Sequence, residues 1–167
     1  TLGFSAKIGG RRMSPSRTEL KLLTREALSD DQWTVLRDTP YLVALAISEA
    51  EGSRVDALLE RGAGAKAIAD GNNNEHPLIR AIGNRPEMDR VIQAMQGRFV
   101  GVGGRTKLSP AEFKDIVVQS AQRAFAILAG AGSELDLYAY RSFVTSVSRA
   151  IAEAAREGDL LGIGGTL

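Results

Sequence analysis

Between Phe113 and Ala154 the apolar residues return every three or four positions, in two stretches bounded by residues that start and stop helices. Ser109-Pro110-Ala111-Glu112 has the form of a capping box with proline in the first turn, where its missing N–H costs nothing. After it, Phe113, Ile116, Val117, Ala121, Ala124, Phe125 and Leu128 keep a helical period until Gly130 and Gly132. Ser133 can cap the next stretch, where Leu137, Tyr140, Val144, Val147, Ile151 and Ala154 line one face and Gly158 ends it. Rows of this spacing are buried by packing helix on helix, and no segment of the chain shows the two-residue alternation of a half-buried strand. The expected fold is all-α: a bundle of about six to eight helices built from helical hairpins and joined by glycine-rich linkers. Its last two long helices are expected to form an antiparallel pair.

The rest of the chain divides on its breakers. Residues 1–17 read as a flexible basic arm, broken by Gly3, Gly9 and Gly10 and charged by Lys7, Arg11, Arg12 and Arg17. A short helix is expected over 17–27. Ser29 and Gln32 make a second capping box, whose helix should end near Asp38 because Pro40 disfavours helical geometry at Thr39. Pro40 then suits the first turn of a new helix, apolar on nearly every side through Leu42, Val43, Leu45, Ala46 and Ile47, hence central and buried; Gly52 ends it. A helix over 53–68 follows, with Val55, Leu58 and Leu59 inward and Gly62 and Gly64 admitting a close neighbour. Gly71 to Asn74 reads as a loop, His76-Pro77 as the start of a short helix to Ile82, and Gly83-Asn84 as its end. Pro86 opens a helix carrying Met88, Val91, Ile92 and Met95 inward, and Phe99 to Lys107 is a glycine-rich linker. Ile8-Gly9-Gly10-Arg11 echoes Val102-Gly103-Gly104-Arg105, each feeding a Ser-Pro helix start. Residues 18–167 are read as a single all-helical domain, with 18–98 and 108–167 as its halves.

Composition narrows the function. A chain of 167 residues can bury a core without a metal or disulfide staple. The absence of cysteine excludes disulfides, thiolate metal sites, iron–sulfur clusters and cysteine nucleophiles, and fits a reducing cytosol, so a cytoplasmic location is expected. No apolar run approaches the roughly 20 residues of a membrane-spanning helix, and no stretch reads as a signal peptide. The single histidine, His76, cannot build a multi-histidine metal site, and any serine–histidine–acid triad would have to use it. Preceding Pro77 at a helix start, it reads as a surface or capping residue. Trp33 and Tyr138 to Tyr140 sit at core-like helical spacing and read as packing residues. With no nucleophile–base pair, metal triad or cofactor loop, no catalytic or cofactor-binding residue is assigned. The expectation is a non-enzymatic binding or scaffold protein that works through its helical surfaces on a protein partner or a second copy of itself.

Two further binding chemistries are legible. Glu49, Glu51, Asp56 and Glu60 surround a helix–loop–helix corner, where several oxygens can gather around a hard divalent cation. The alternating acids of an EF-hand loop are absent. Arg105 and Lys107, in a glycine loop that precedes a helix, could meet an anion together with Arg11 and Arg12 of the arm. That loop lacks the ending of a phosphate-binding P-loop, and Phe4 is the one aromatic in the arm. The net charge of +1 neither favours nor excludes nucleic acid, so an anion or nucleic-acid binder stands as an alternative, with nucleic acid not the expected partner.

The stretch Pro40-Tyr41-Leu42-Val43-Ala44-Leu45-Ala46-Ile47-Ser48-Glu49-Ala50-Glu51-Gly52, with Val55-Asp56 and Glu60 after it, resembles the helix and acidic corner of the tellurite-resistance (TerB-like) helical proteins. Glu51 stands where that family usually has aspartate. Ala150 to Gly158, followed by Leu160 to Gly165, looks like a second such corner, with Glu153, Glu157 and Asp159 as its acids. The resemblance covers about a third of the chain. It implies a bundle of helical hairpins in a bacterial cytosolic protein with a stress-related or divalent-metal role. It also implies Glu51, Asp56 and Glu60 as the metal-binding positions.

Overall fold

A computed structural model describes residues 21–50 and 62–160, with side chains to 157. Among these residues the fold is all-α. Its six α-helices are α1 (Asp30–Ala50), α2 (Ala63–Asp70), α3 (Pro77–Ile82), α4 (Arg85–Phe99), α5 (Pro110–Ala131) and α6 (Glu134–Leu160). Single 3-10 turns lie at Arg25–Ala27, Gly71–Asn73 and Val102–Gly104. The expectations for 1–20, for the 53–61 part of the fourth segment and for 161–167 lie outside the described residues.

The central helix is α1. From Thr39 to Leu42 every residue is buried, as are Ala44 and Leu45, so this stretch is enclosed on all sides, as its composition predicts. Its start is the expected capping box: the Gln32 amide N–H donates to Ser29 Oγ at 3.2 Å, and the Ser29 N–H donates to Gln32 Oε1 at 3.0 Å. The expected break at Asp38 does not occur, and the helix runs through Pro40 without interruption. Proline removes the N–H that would bond the Leu36 carbonyl four residues earlier. The Tyr140 hydroxyl, arriving from α6, donates to that carbonyl at 2.7 Å. A contact from a distant helix thus supplies what the local sequence removes. Upstream, the helix expected to reach Ala27 is reduced to one 3-10 turn after four residues of irregular chain.

Two long helices flank α1. α5 runs antiparallel to it, with Thr39 Oγ1 2.7 Å from Ser120 Oγ near the middle and Phe113 beside the Ala46–Ala50 end. α6 runs parallel to α1, from Tyr140 at Leu36 to Ile151 near Ala44. Each packs more extensively on α1 than on its hairpin partner, so the last two helices are not chiefly each other's partners. They do meet where the Phe125 ring stands edge-on to Tyr140, with centroids 6.4 Å apart. α2 wedges between α1 and α6 at Gly64, where a Cβ atom would lie 3.1 Å from both the Ala44 methyl and the Ile151 side chain. The absent side chain is what lets three helices converge. α4 closes the other side, its Phe99 edge-on to Phe113 at 5.5 Å. One buried cluster draws on residues from Leu23 to Ile151.

The segment expected as a glycine-rich linker after α4 is a tight turn. Val100 pairs with Thr106, the Lys107 N–H donates to the Phe99 carbonyl at 2.8 Å, and Gly103 and Gly104 take φ of 75° and 74°. No helix among the described residues is long and apolar enough to cross a membrane.

Candidate functional site

Among the described residues, an apolar hollow of about 500 Å³ lies where the C-terminal end of α1 meets the start of α5. Ala46 and Ala50, one turn apart on α1, form one wall; Phe113 and Val117, one turn apart on α5, form the other. Val118, 44% exposed, extends the apolar wall outward, and Pro110 closes one end. The position of this wall is set by the Ser109 capping box. Glu112 Oε2 accepts from the Ser109 hydroxyl at 2.7 Å and from the Ser109 N–H at 2.8 Å, and the Glu112 N–H donates to Ser109 Oγ at 3.3 Å. The two bonds that its carboxylate accepts hold the Glu112 carboxyl below its ordinary pKa. Phe113 is buried, its ring edge-on to Phe99. Glu49 and Lys114 place opposite charges on opposite walls.

A second feature is a buried polar cluster, and it corrects the reading of His76. The ring is only 6% exposed, with Nε2 2.8 Å from Asp136 Oδ1. Asp136 is itself buried, and its two oxygens accept four hydrogen bonds. Oδ1 takes the His76 ring N–H and the Leu23 backbone N–H, the latter at 2.8 Å. Oδ2 takes the Ser133 N–H at 2.6 Å and the Ser133 hydroxyl at 2.7 Å. Burial alone would raise the Asp136 pKa, but these four donors outweigh it and hold the carboxyl below its ordinary value. A carboxylate so placed assigns the His76 proton to Nε2, leaving Nδ1 buried with no hydrogen-bond partner among the described residues. The imidazole therefore serves as a tie between the start of α3 and the start of α6. The signal for this cluster is present in the sequence: Asp136 stands three residues after Ser133, at capping-box spacing.

The other sequence-selected residues distribute as follows. Trp33 and Tyr140 are core residues, as expected, whereas Tyr138 is 70% exposed because it points off the face that carries Tyr140. Arg105 is exposed, and Lys107 turns back to donate from Nζ to the Gly97 carbonyl at 3.0 Å, capping the end of α4. Arg11 and Arg12 lie outside the described residues, as do Glu51, Asp56 and Glu60. Glu153 and Glu157 of the second corner face Lys66 and Asp70 across an open hollow between α2 and α6. Among the described residues no three histidine or acidic side chains are grouped to hold a metal ion.

No family model matches this chain, and neither a curated protein nor a solved structure matches it.

Proposed function

We propose that this protein is a non-enzymatic helical binding module, and that the α1–α5 groove receives an amphipathic helix from a partner protein. The groove itself carries the reading. Its two walls present side chains four residues apart, which is the ridge spacing on the surface of any helix laid between them. The alanine wall lets the incoming backbone come close, while Phe113 and Val117 offer the larger apolar surface that anchors a guest side chain. Glu49 on one wall and Lys114 on the other ask for a guest with a basic residue toward α1 and an acidic one toward α5. Helix-in-groove recognition of this kind needs no catalytic group.

Selection from a displayed library of helical peptides tests the reading. The peptides recovered should carry apolar residues at i, i+4 and i+7 with an acid flanking the α5 side. They should bind Val117→Lys at least tenfold more weakly, the loss expected when a charge enters an apolar contact. Lys114→Glu should reverse the preferred flanking charge. Recovered peptides that lack the periodicity, or that bind Val117→Lys unchanged, contradict the proposal.

A further inference from the structure

Opposite the groove, on the other side of α5, a separate cleft of about 220 Å³ opens among α1, α4 and α5. Helical spacing puts Ile116, Gln119 and Arg123 on the face of α5 turned away from Lys114 and Val118. Its lining is mixed: Val35 and Leu42 from α1, Met95 from α4 and Ile116 from α5 form an apolar patch, and Thr34, Gln119 and Ser120 add polar atoms. Two arginines stand at its edge, Arg98 of α4 and Arg123 of α5.

The charges around this cleft are unequally matched. Its one carboxylate, Asp38, is held by Arg37 at 2.7 Å from Nε. The nearby Glu87 is taken by Arg37 at 3.3 Å and by Arg90 at 2.8 Å. Those two arginines and two carboxylates cancel. Arg98 and Arg123 have no carboxylate within ion-pair distance among the described residues. Arg98 is held in place by stacking on the Phe99 ring at 4.8 Å. An apolar patch in one cleft with two guanidinium groups that have no carboxylate partner among the described residues complements an anion with an aliphatic body, since the guanidinium fork matches a carboxylate in geometry as well as charge.

We propose that this cleft binds a small amphiphilic acid, its carboxylate between Arg98 and Arg123 and its aliphatic tail on Val35, Leu42, Met95 and Ile116. A cleft of about 220 Å³ suits a short aliphatic chain, for which octanoate serves as the probe. The site is independent of the α1–α5 groove and stands whether or not a partner helix binds there.

Octanoate is the probe, titrated into the full chain while backbone amide shifts are followed by NMR. Shifts should cluster on 35–42, 95–98 and 116–123. Octylamine and octanol, with the same tail and a different head, should bind at least tenfold more weakly, as should acetate, which has the head without the tail. Arg98→Gln with Arg123→Gln changes only exposed side chains and should cost about tenfold or more in octanoate affinity with the helical circular dichroism unchanged. Lys114→Gln, in the other groove, should leave binding as it was. The proposal is overturned if octanoate does not bind, if octanol or octylamine binds equally well, or if the double variant binds normally. It is equally overturned if Lys114→Gln is the change that abolishes binding.

Discussion

Two buried tyrosine hydroxyls on neighbouring helices make opposite contributions, and the difference lies in whether each finds a partner. Tyr140 Oη donates to the carbonyl that Pro40 leaves unbonded. The Tyr41 hydroxyl is equally buried and makes no hydrogen bond among the described residues, and burial raises its pKa well above the ordinary value. A buried polar atom without a partner costs free energy, whereas one that satisfies another buried group removes two costs at once. Tyr140→Phe should therefore lower unfolding stability by about 1–3 kcal/mol, while Tyr41→Phe should leave it unchanged or raise it slightly. Urea denaturation of the two variants beside the parent checks this, and equal losses would refute it. Sequence reading places the Tyr140 ring in the core from its helical spacing, but it cannot show that the hydroxyl has a partner, because that partner is 104 residues away. The same limit hides His76: a histidine before a proline looks like a surface cap until the fold brings Asp136 beside it.

Helix starts are readable because they are local. Ser29, Ser109 and Ser133 each announce themselves within four residues, and each forms the bonds its spacing implies. Where a helix continues depends on distant contacts, and there the sequence misleads. Proline interrupts helices by orphaning the carbonyl four residues earlier and by crowding it with its ring, and a donor that reaches that oxygen, as Tyr140 does at Leu36, offsets the first of these costs. The same logic makes Pro40 and Tyr140 a coupled pair. Pro40→Ala restores a backbone N–H to the Leu36 carbonyl, and Tyr140→Phe in that background no longer strands a buried acceptor. In a double-mutant cycle the tyrosine substitution should cost less in the Pro40→Ala variant than in the parent, by about 0.5–1 kcal/mol or more. Strict additivity of the two substitutions would show that the hydroxyl does not act through that carbonyl. The α1–α5 groove has the same mixed legibility. The periodicity names Phe113 and Val117 as inward-facing, and only the packing reveals that Val117 is half-buried beside the end of α1 while Phe113 is buried.

At the scale of the whole molecule, Asp136 is the point where widely separated parts of the chain are fastened together. Its carboxylate bonds the Leu23 backbone, the start of α3 and the turn that opens α6, across sequence separations of 113 and 60 residues. The fold class needs none of this, which is why helical periodicity alone is enough to predict an all-α bundle. The closure of the N-terminal segment, with Leu23 and Leu28 buried, does need it. The arrangement makes stability depend on pH in a definite direction. The folded-state pKa of Asp136 lies below its unfolded value, so the folded chain holds fewer protons on this group than the unfolded chain as the pH falls toward the carboxylate range. Its stabilising contribution is complete above the unfolded pKa of about 4 and is lost as the pH drops through the lower folded value. Urea midpoints should therefore fall on acidification below about pH 5, and Asp136→Asn should start from a lower stability and fall less steeply. Other carboxylates titrate in both proteins, so the difference between the two curves isolates Asp136. Parallel curves would mean that this carboxylate is not the acid-labile fastening, and that its four hydrogen bonds are matched by equivalent ones in the unfolded chain.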